Sequence, residues 1–138
     1  MKKKSGFTLI ELMITISIIG ILTLIIAVSF SSVQKDSRDQ RRIADLKAIQ
    51  NAAEQYYLLK GSYPVNKTTP WSVNSQTILQ TFPKDPKGNA YTYFVGNGGY
   101  CACSVNMESG KYGNADQANQ FPCDFQTSGV NYCVGAQQ

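Results

Sequence analysis

From Leu12 to Gln34 the chain carries no charged residue, and the apolar core of that stretch, Leu12 to Phe30, is 19 residues long. As an α-helix it spans roughly 28 Å at about 1.5 Å per residue, close to the ~30 Å of a bilayer's hydrocarbon. Lipid offers no hydrogen bonds, so the run is expected to be helical, with every backbone group paired internally. Lys2, Lys3 and Lys4 precede it. Such cations stay in the cytoplasm, which sends the rest of the chain outside. A secretory signal peptide fits poorly, because the run is longer than an h-region and no small-x-small cleavage site ends it. A plain single-span anchor leaves Glu11 unexplained. A carboxylate in a membrane segment is costly and marks function. Its plainer role is as a negative charge near the start of the helix, where the macrodipole favours it.

The segment Lys4-Ser5-Gly6-Phe7-Thr8-Leu9-Ile10-Glu11-Leu12-Met13 resembles the leader and first helical residues of type IV pilins and type II secretion pseudopilins. The resemblance implies cleavage by a prepilin peptidase between Gly6 and Phe7, N-methylation of Phe7, and pairing of Glu11 with the Phe7 ammonium of a neighbouring subunit. The physics agrees. An ammonium or a carboxylate left alone in an apolar bundle is very costly, and a buried pair is best attested as a device that fixes register. Glu11 is then a registration residue, and Phe7 and Glu11 together are the assembly site. Many pilins also carry a proline near the end of the apolar half. Ala27-Val28-Ser29-Phe30 occupies that region without one, so any local melting would begin at Gly20.

The helix is expected to continue. No proline lies between Phe7 and Lys60, and Gly20 is the only glycine there. Ile43, Leu46, Ile49, Ala53 and Tyr56 or Tyr57 recur at spacings of three and four, an amphipathic pattern. Gly61 supplies a stop, with Pro64 shortly after. One helix over residues 7–60 would be roughly 80 Å long. The expected organisation is a leader (1–6), a transmembrane and assembly helix (7–34), its amphipathic continuation (35–60) and a globular head (61–138).

The net charge is +4, from 13 basic and 9 acidic residues. Lys2 to Lys4 account for three of the positives, so removal of the leader leaves ten against nine. The balance gives no reason to invoke nucleic acid. Lys35, Arg38, Arg41 and Arg42 form a candidate DNA strip, but Asp36, Asp39 and Asp45 interleave with them, which reads as a solvated helix face.

In the head, Val65 to Thr77 is expected as a polar loop containing Trp71, and Ile78 to Phe82 as a helical turn packed on the head. Asn66-Lys67-Thr68 matches a glycosylation acceptor of the kind that arises by chance. Asp85-Pro86 and Gly88-Asn89 are turn chemistry. Two strands are expected at Tyr91–Val95 and Tyr100–Met107, joined by a turn at Asn97-Gly98-Gly99. Gly110 to Gln120 reads as a loop and Asn131–Val134 as a last strand. The aromatics are expected in core and sheet pairs. Gly61-Ser62-Tyr63-Pro64 resembles the helix-to-head junction of pseudopilins and related pilins. Pro83-Lys84-Asp85-Pro86-Lys87-Gly88-Asn89-Ala90-Tyr91 resembles the head of the major pseudopilin of type II secretion.

Cys101, Cys103, Cys123 and Cys133 all fall in the head. An even number of cysteines in an extracytoplasmic domain reads as two disulfides. A zinc site would need all four thiolates, since the chain has no histidine, and Cys-x-Cys is too short for the usual spacing. Three connectivities are open, and the expected one joins Cys101 to Cys133 and Cys103 to Cys123. Two such bridges at about 2–4 kcal/mol each would matter to a small core. Some major pseudopilins hold calcium near the C-terminus. Asp116 and Asp124 are the weak candidates here, lacking a clear ligand spacing, and no cofactor is expected.

Nothing in the sequence supports catalysis: there is no histidine, no Gly-x-Ser-x-Gly and no phosphate loop. The expected fold is α+β and type IV pilin-like, a long N-terminal helix packed on a small, disulfide-bonded antiparallel sheet. The resemblance implies a filament subunit that polymerises through its N-terminal helix into a type IV pilus-like fibre, or alternatively the major pseudopilin of a type II secretion system. A monomeric membrane-anchored binding protein is the rival from another class. The implied partners are prepilin peptidase, like or related subunits, inner-membrane assembly machinery and the bilayer. The implied location is a single pass through the cytoplasmic membrane with the head outside, then a periplasmic or extracellular filament.

Overall fold

The computed structural model of the chain describes residues 6–96, 98–116, 122–126 and 128–136, and the side chains of 27–29 lie outside the description. One helix, α1, runs over Leu9–Lys60, 52 residues. The chain divides into two compact units, 1–34 and 35–138.

In the first unit the helix is long and apolar enough to cross a membrane. Its described large apolar side chains, from Phe7 to Val33, are 53–84% exposed on every side. A helix that is hydrophobic all round is stable only when something else covers it. Its hydroxyls are internally satisfied: Thr15, Ser17 and Thr23 donate to the carbonyls of Leu12, Met13 and Ile19 at 2.7–2.8 Å. This suits a segment without access to water.

In the second unit, Leu46, Ile49, Ala52, Ala53 and Tyr56 form the buried stripe of α1. The expected amphipathic face is present, with Ile43 half-buried at its edge and Tyr57 exposed. Gly61 ends the helix at φ +73, its N–H donating to the carbonyl of Tyr57 at 2.7 Å. This is a left-handed cap that a side chain would resist.

Two short strands follow, β1 (Trp71–Val73) and β2 (Gln76–Leu79). They pair antiparallel around Asn74 and Ser75, both left-handed at φ 50 and 66. This corrects two expectations: the polar loop holds a strand with Trp71 buried, and Ile78-Leu79 belongs to a strand rather than a helical turn. Strands of three and four residues are too short to show period-2 alternation, and the paired left-handed turn is formed without the usual Asn-Gly signal.

The main sheet has the order β3-β4-β5, all antiparallel. β3 is Thr92–Gly96, β4 Gly99–Ser104 and β5 Tyr132–Gly135. Gly96 pairs with Gly99 and Gly98 takes φ +82, while Asn97 lies outside the described residues. Every residue of β4 is buried, because both faces of this central strand are covered. Tyr100 and Ala102 face the cluster that contains Leu46 and Ile49. Cys101 and Cys103 face a second cluster with Ala115 and Cys133. The aromatics are core, as expected: Trp71, Phe82, Tyr93, Tyr100 and Tyr63 form a chain of ring contacts with centroids 4.8–6.0 Å apart.

Candidate functional site

The expected assembly residues lie at the start of α1. Gly6 and Phe7 are exposed ahead of the helix. Thr8 is the N-cap and Glu11 the third helical residue, and they bond reciprocally. Glu11 N–H donates to Thr8 Oγ1 at 3.3 Å. Thr8 N–H and its hydroxyl donate to Glu11 Oε2 at 2.9 and 2.7 Å. This is a capping box. Thr8 was readable from the Thr-x-x-Glu spacing before an apolar run but was not singled out. The box holds one carboxylate oxygen, while Oε1 takes no hydrogen bond among the described residues. Glu11 thus closes the end of its own helix through one oxygen.

A second constellation, in the head, was not anticipated. Arg42 is 2% exposed and Asp39 0%. Arg42 donates to Asp39 Oδ1 at 2.7 Å and to both carboxylate oxygens of Asp85, and it pairs with Glu108 Oε1 at 2.9 Å. Arg38 adds a two-pronged bond to Glu108 at 2.9 and 2.7 Å, and Lys87 pairs with Glu108 at 2.8 Å. Asp39 also accepts the backbone N–H groups of Glu108 and Ser109 at 3.0 and 2.7 Å. Asp85 accepts its own turn's Lys87 N–H at 2.8 Å. The expected solvated basic face is therefore corrected. Arg42 and Asp39 point inward, and only Arg41 and Lys35 of the four cations stay fully exposed. Inward pointing follows from the same helical register that buries Leu46 and Ile49, since 39, 42, 46 and 49 share one face.

The electrostatics follow from these contacts. The Arg38 guanidinium, with Lys87 and Arg42, holds the Glu108 carboxyl far below the usual carboxylate range. Burial pushes Asp39 up, but the amides of Glu108 and Ser109 and the Arg42 guanidinium outweigh it, and the net shift is down. Asp85 is likewise pushed up by burial and brought below its ordinary value by Arg42 and the Lys87 amide. The Asp85 carboxylate, with Asp39 and Glu108 beside it, raises Arg42 above its already high value. Three cations and three carboxylates thus balance, and the cluster ties α1 to the 85–89 turn and the 106–109 loop. Its chemistry is structural: every charge is matched by a counter-charge.

The cysteines form two disulfides, but not in the expected pairing. Cys103 joins Cys133 and Cys101 joins Cys123. The register decides it. Cys103 lies directly opposite Cys133 across β4 and β5, with Cα atoms 4.1 Å apart. Cys101 lies opposite Gly135 and so takes Cys123, 5.4 Å away at Cα. Gly135 has a spatial role here, because a Cβ on it would sit 3.0 Å from the Tyr100 carbonyl and 3.4 Å from Cys123 Sγ. Among the described residues, the ligating side chains close enough to share an ion are Cys101, Cys103 and Cys133, whose sulfurs are already bridged. Asp116 and Asp124 are not among them. The Asp116 carbonyl accepts from Asn131, and the Asp124 carboxylate from Gln126.

Comparison with known proteins accords with these features. Residues 1–27 match the prokaryotic N-terminal methylation motif. The chain is 30% identical over 143 residues to type II secretion system core protein G of Vibrio cholerae, covering 91% of this chain and 98% of that protein. It is 32% identical over 136 residues to core protein G of Pseudomonas aeruginosa, covering 86% and 96%. It is 31% identical over 84 residues to the type IV major pilin protein PilE of Neisseria gonorrhoeae, covering 61% and 50%. No solved structure gives a significant match. With its prepilin motif, a long helix whose first half is largely apolar and a disulfide-bonded antiparallel head, this chain belongs to the family of type IV pilins and type II secretion pseudopilins.

Proposed function

We propose that the chain is a filament subunit that polymerises through its N-terminal helix. The carrying observation is the helix from Leu9 to Val33, whose described large apolar side chains are exposed on every side, with one carboxylate at its head whose Oε1 takes no hydrogen bond among the described residues. Lipid covers such a surface before assembly, and the helices of other copies cover it afterwards. Prepilin peptidase cuts between Gly6 and Phe7, and Phe7 is then N-methylated. The Phe7 ammonium of one subunit meets Glu11 of its neighbour, which sets the axial stagger. Before assembly the protein crosses the cytoplasmic membrane once, with Lys2 to Lys4 inside and the head outside, where the inner-membrane assembly machinery engages it.

A secretion pseudopilus is favoured as the particular filament by one observation. Core protein G of Vibrio cholerae and of Pseudomonas aeruginosa align over nearly the whole of both chains, head included, whereas the pilin PilE match covers 61% of this chain.

The test is intact-mass analysis of protein from membranes and from sheared filaments. The expected mass is that of residues 7–138 plus one methyl, less the four hydrogens lost to two disulfides. An uncleaved start at Met1, or a protein confined to the membrane as a monomer when the machinery is present, would overturn the proposal.

A further inference from the structure

The acids of α1 within the head are turned toward the protein. Asp36 takes the Lys111 ammonium at 2.8 Å. Asp39 is buried. Asp45 accepts the Tyr91 hydroxyl at 2.8 Å and Glu54 the Tyr63 hydroxyl at 3.1 Å. The outer face keeps Arg41 and Lys47 exposed, on either side of Gln40, Ala44, Ala48 and Asn51. That face carries two cations and no acid.

The other side of the sheet has the reverse character. Cys101 and Cys103 alternate with the residues that face α1, so the segments bonded to them cover the far face. Asp116 is exposed beside Ala115, and Asp124 half-exposed beside Cys123. Residues 112–138 contain these two acids and no lysine or arginine. Phe125, 55% exposed, supplies apolar surface there.

We infer that the outer face of α1 in one head docks on the disulfide-bearing face of the head of a second copy, Arg41 and Lys47 meeting Asp116 and Asp124. The two patches lie on opposite sides of one sheet and cannot meet within a chain. A contact between unlike patches is heterologous, and unless its rotation closes a ring it propagates as a helical filament. Ala44 and Ala48 let the partner surface approach the helix backbone closely. The contact rests on the filament reading above and says which head surfaces meet.

The test uses the full chain expressed with its assembly machinery and reads sheared-filament yield. One variant carries Arg41→Glu with Lys47→Glu, a second Asp116→Lys with Asp124→Lys, and a third all four. Like charges brought face to face are strongly disfavoured, so each double reversal is expected to lower the yield roughly ten-fold. The fourfold variant restores the attraction and should return close to wild type. Intact mass checks that cleavage and both disulfides survive in each. In wild-type filaments, a zero-length carbodiimide should also join Lys47 to Asp116 or Asp124 between subunits. Filament yield unchanged by either reversal would overturn the docking alone. So would loss in the aspartate variant that the fourfold variant does not restore, the outcome expected if those aspartates bind calcium. A wild type that is processed but forms no filament would overturn the filament reading, and the docking with it.

Discussion

Arg42, on the inner face of α1, grips Asp85, 43 residues further on, through both carboxylate oxygens. Asp85 opens the Asp85-Pro86-Lys87-Gly88 turn, in which the Gly88 N–H donates to the Asp85 carbonyl at 2.8 Å and Gly88 takes φ +84. A turn that proline and glycine make rigid thus offers a carboxylate already aimed at the helix. The pair is also enclosed by Asp39 and Glu108, so neither charge can turn to water if the other is lost.

Replacing Arg42 by alanine should therefore be severe. It would leave Asp39 and Asp85 buried without their counter-charge, and breaking such a pair from one side costs about 3–5 kcal/mol. Arg41→Ala, one residue away and exposed, should stay within about 0.5 kcal/mol of wild type. Urea unfolding of the detergent-solubilised chain, followed by near-ultraviolet circular dichroism of Trp71 and the tyrosines, measures both. Equal effects at 41 and 42 would refute the buried network.

The same cluster sets the response to pH. Glu108, Asp39 and Asp85 are all held below their ordinary values. A carboxylate with a depressed folded pKa contributes stability that is fully present above its unfolded pKa, roughly 4, and is lost as pH falls through the folded value. The chain has no histidine. The urea midpoint should accordingly hold level from about pH 8 to 5 and fall below about pH 4. A decline beginning near pH 6 would point to some other titrating group.

Gly135→Ala probes the disulfide geometry. The added methyl meets the Tyr100 carbonyl at 3.0 Å and Cys123 Sγ at 3.4 Å, and crowding of this kind costs about 1–3 kcal/mol. The strain falls beside the Cys101–Cys123 bridge and leaves Cys103–Cys133, two residue pairs along the ladder, in place. Alkylation followed by peptide mapping should find free thiol at Cys123 and none at Cys133. Full oxidation at both, with unchanged stability, would show that the site yields easily.

The parts of this fold that could be read in advance are those set by neighbours in the chain. The charge-free run from Leu12, the three-and-four spacing of Leu46, Ile49 and Ala53, and the Gly61 stop are local patterns, and each is present. The hairpin around Gly98 was legible for the same reason. What was missed depends on distant partners. Asp39 and Arg42 look like an ordinary surface pair three residues apart until Glu108 arrives from 69 residues away. The cysteine pairing turns on the register of β5 against β4, and a shift of one residue would set Cys103 opposite a different side chain.

At the N-terminus, Glu11 has two roles that one substitution can separate. Its side chain closes the Thr8 capping box, and its charge is the proposed partner of a neighbour's Phe7 ammonium. Glutamine serves the box as well as glutamate does but carries no charge. Glu11→Gln should leave helix content and Gly6–Phe7 cleavage unchanged while filament yield collapses, because the incoming ammonium would be buried without a counter-charge. Thr8→Ala does the reverse: it opens the box and leaves the charge in place, so filaments should still form, from a helix whose first turn is less protected from hydrogen exchange. Normal filaments from Glu11→Gln would reduce Glu11 to a helix cap and remove the ion pair as the source of axial register.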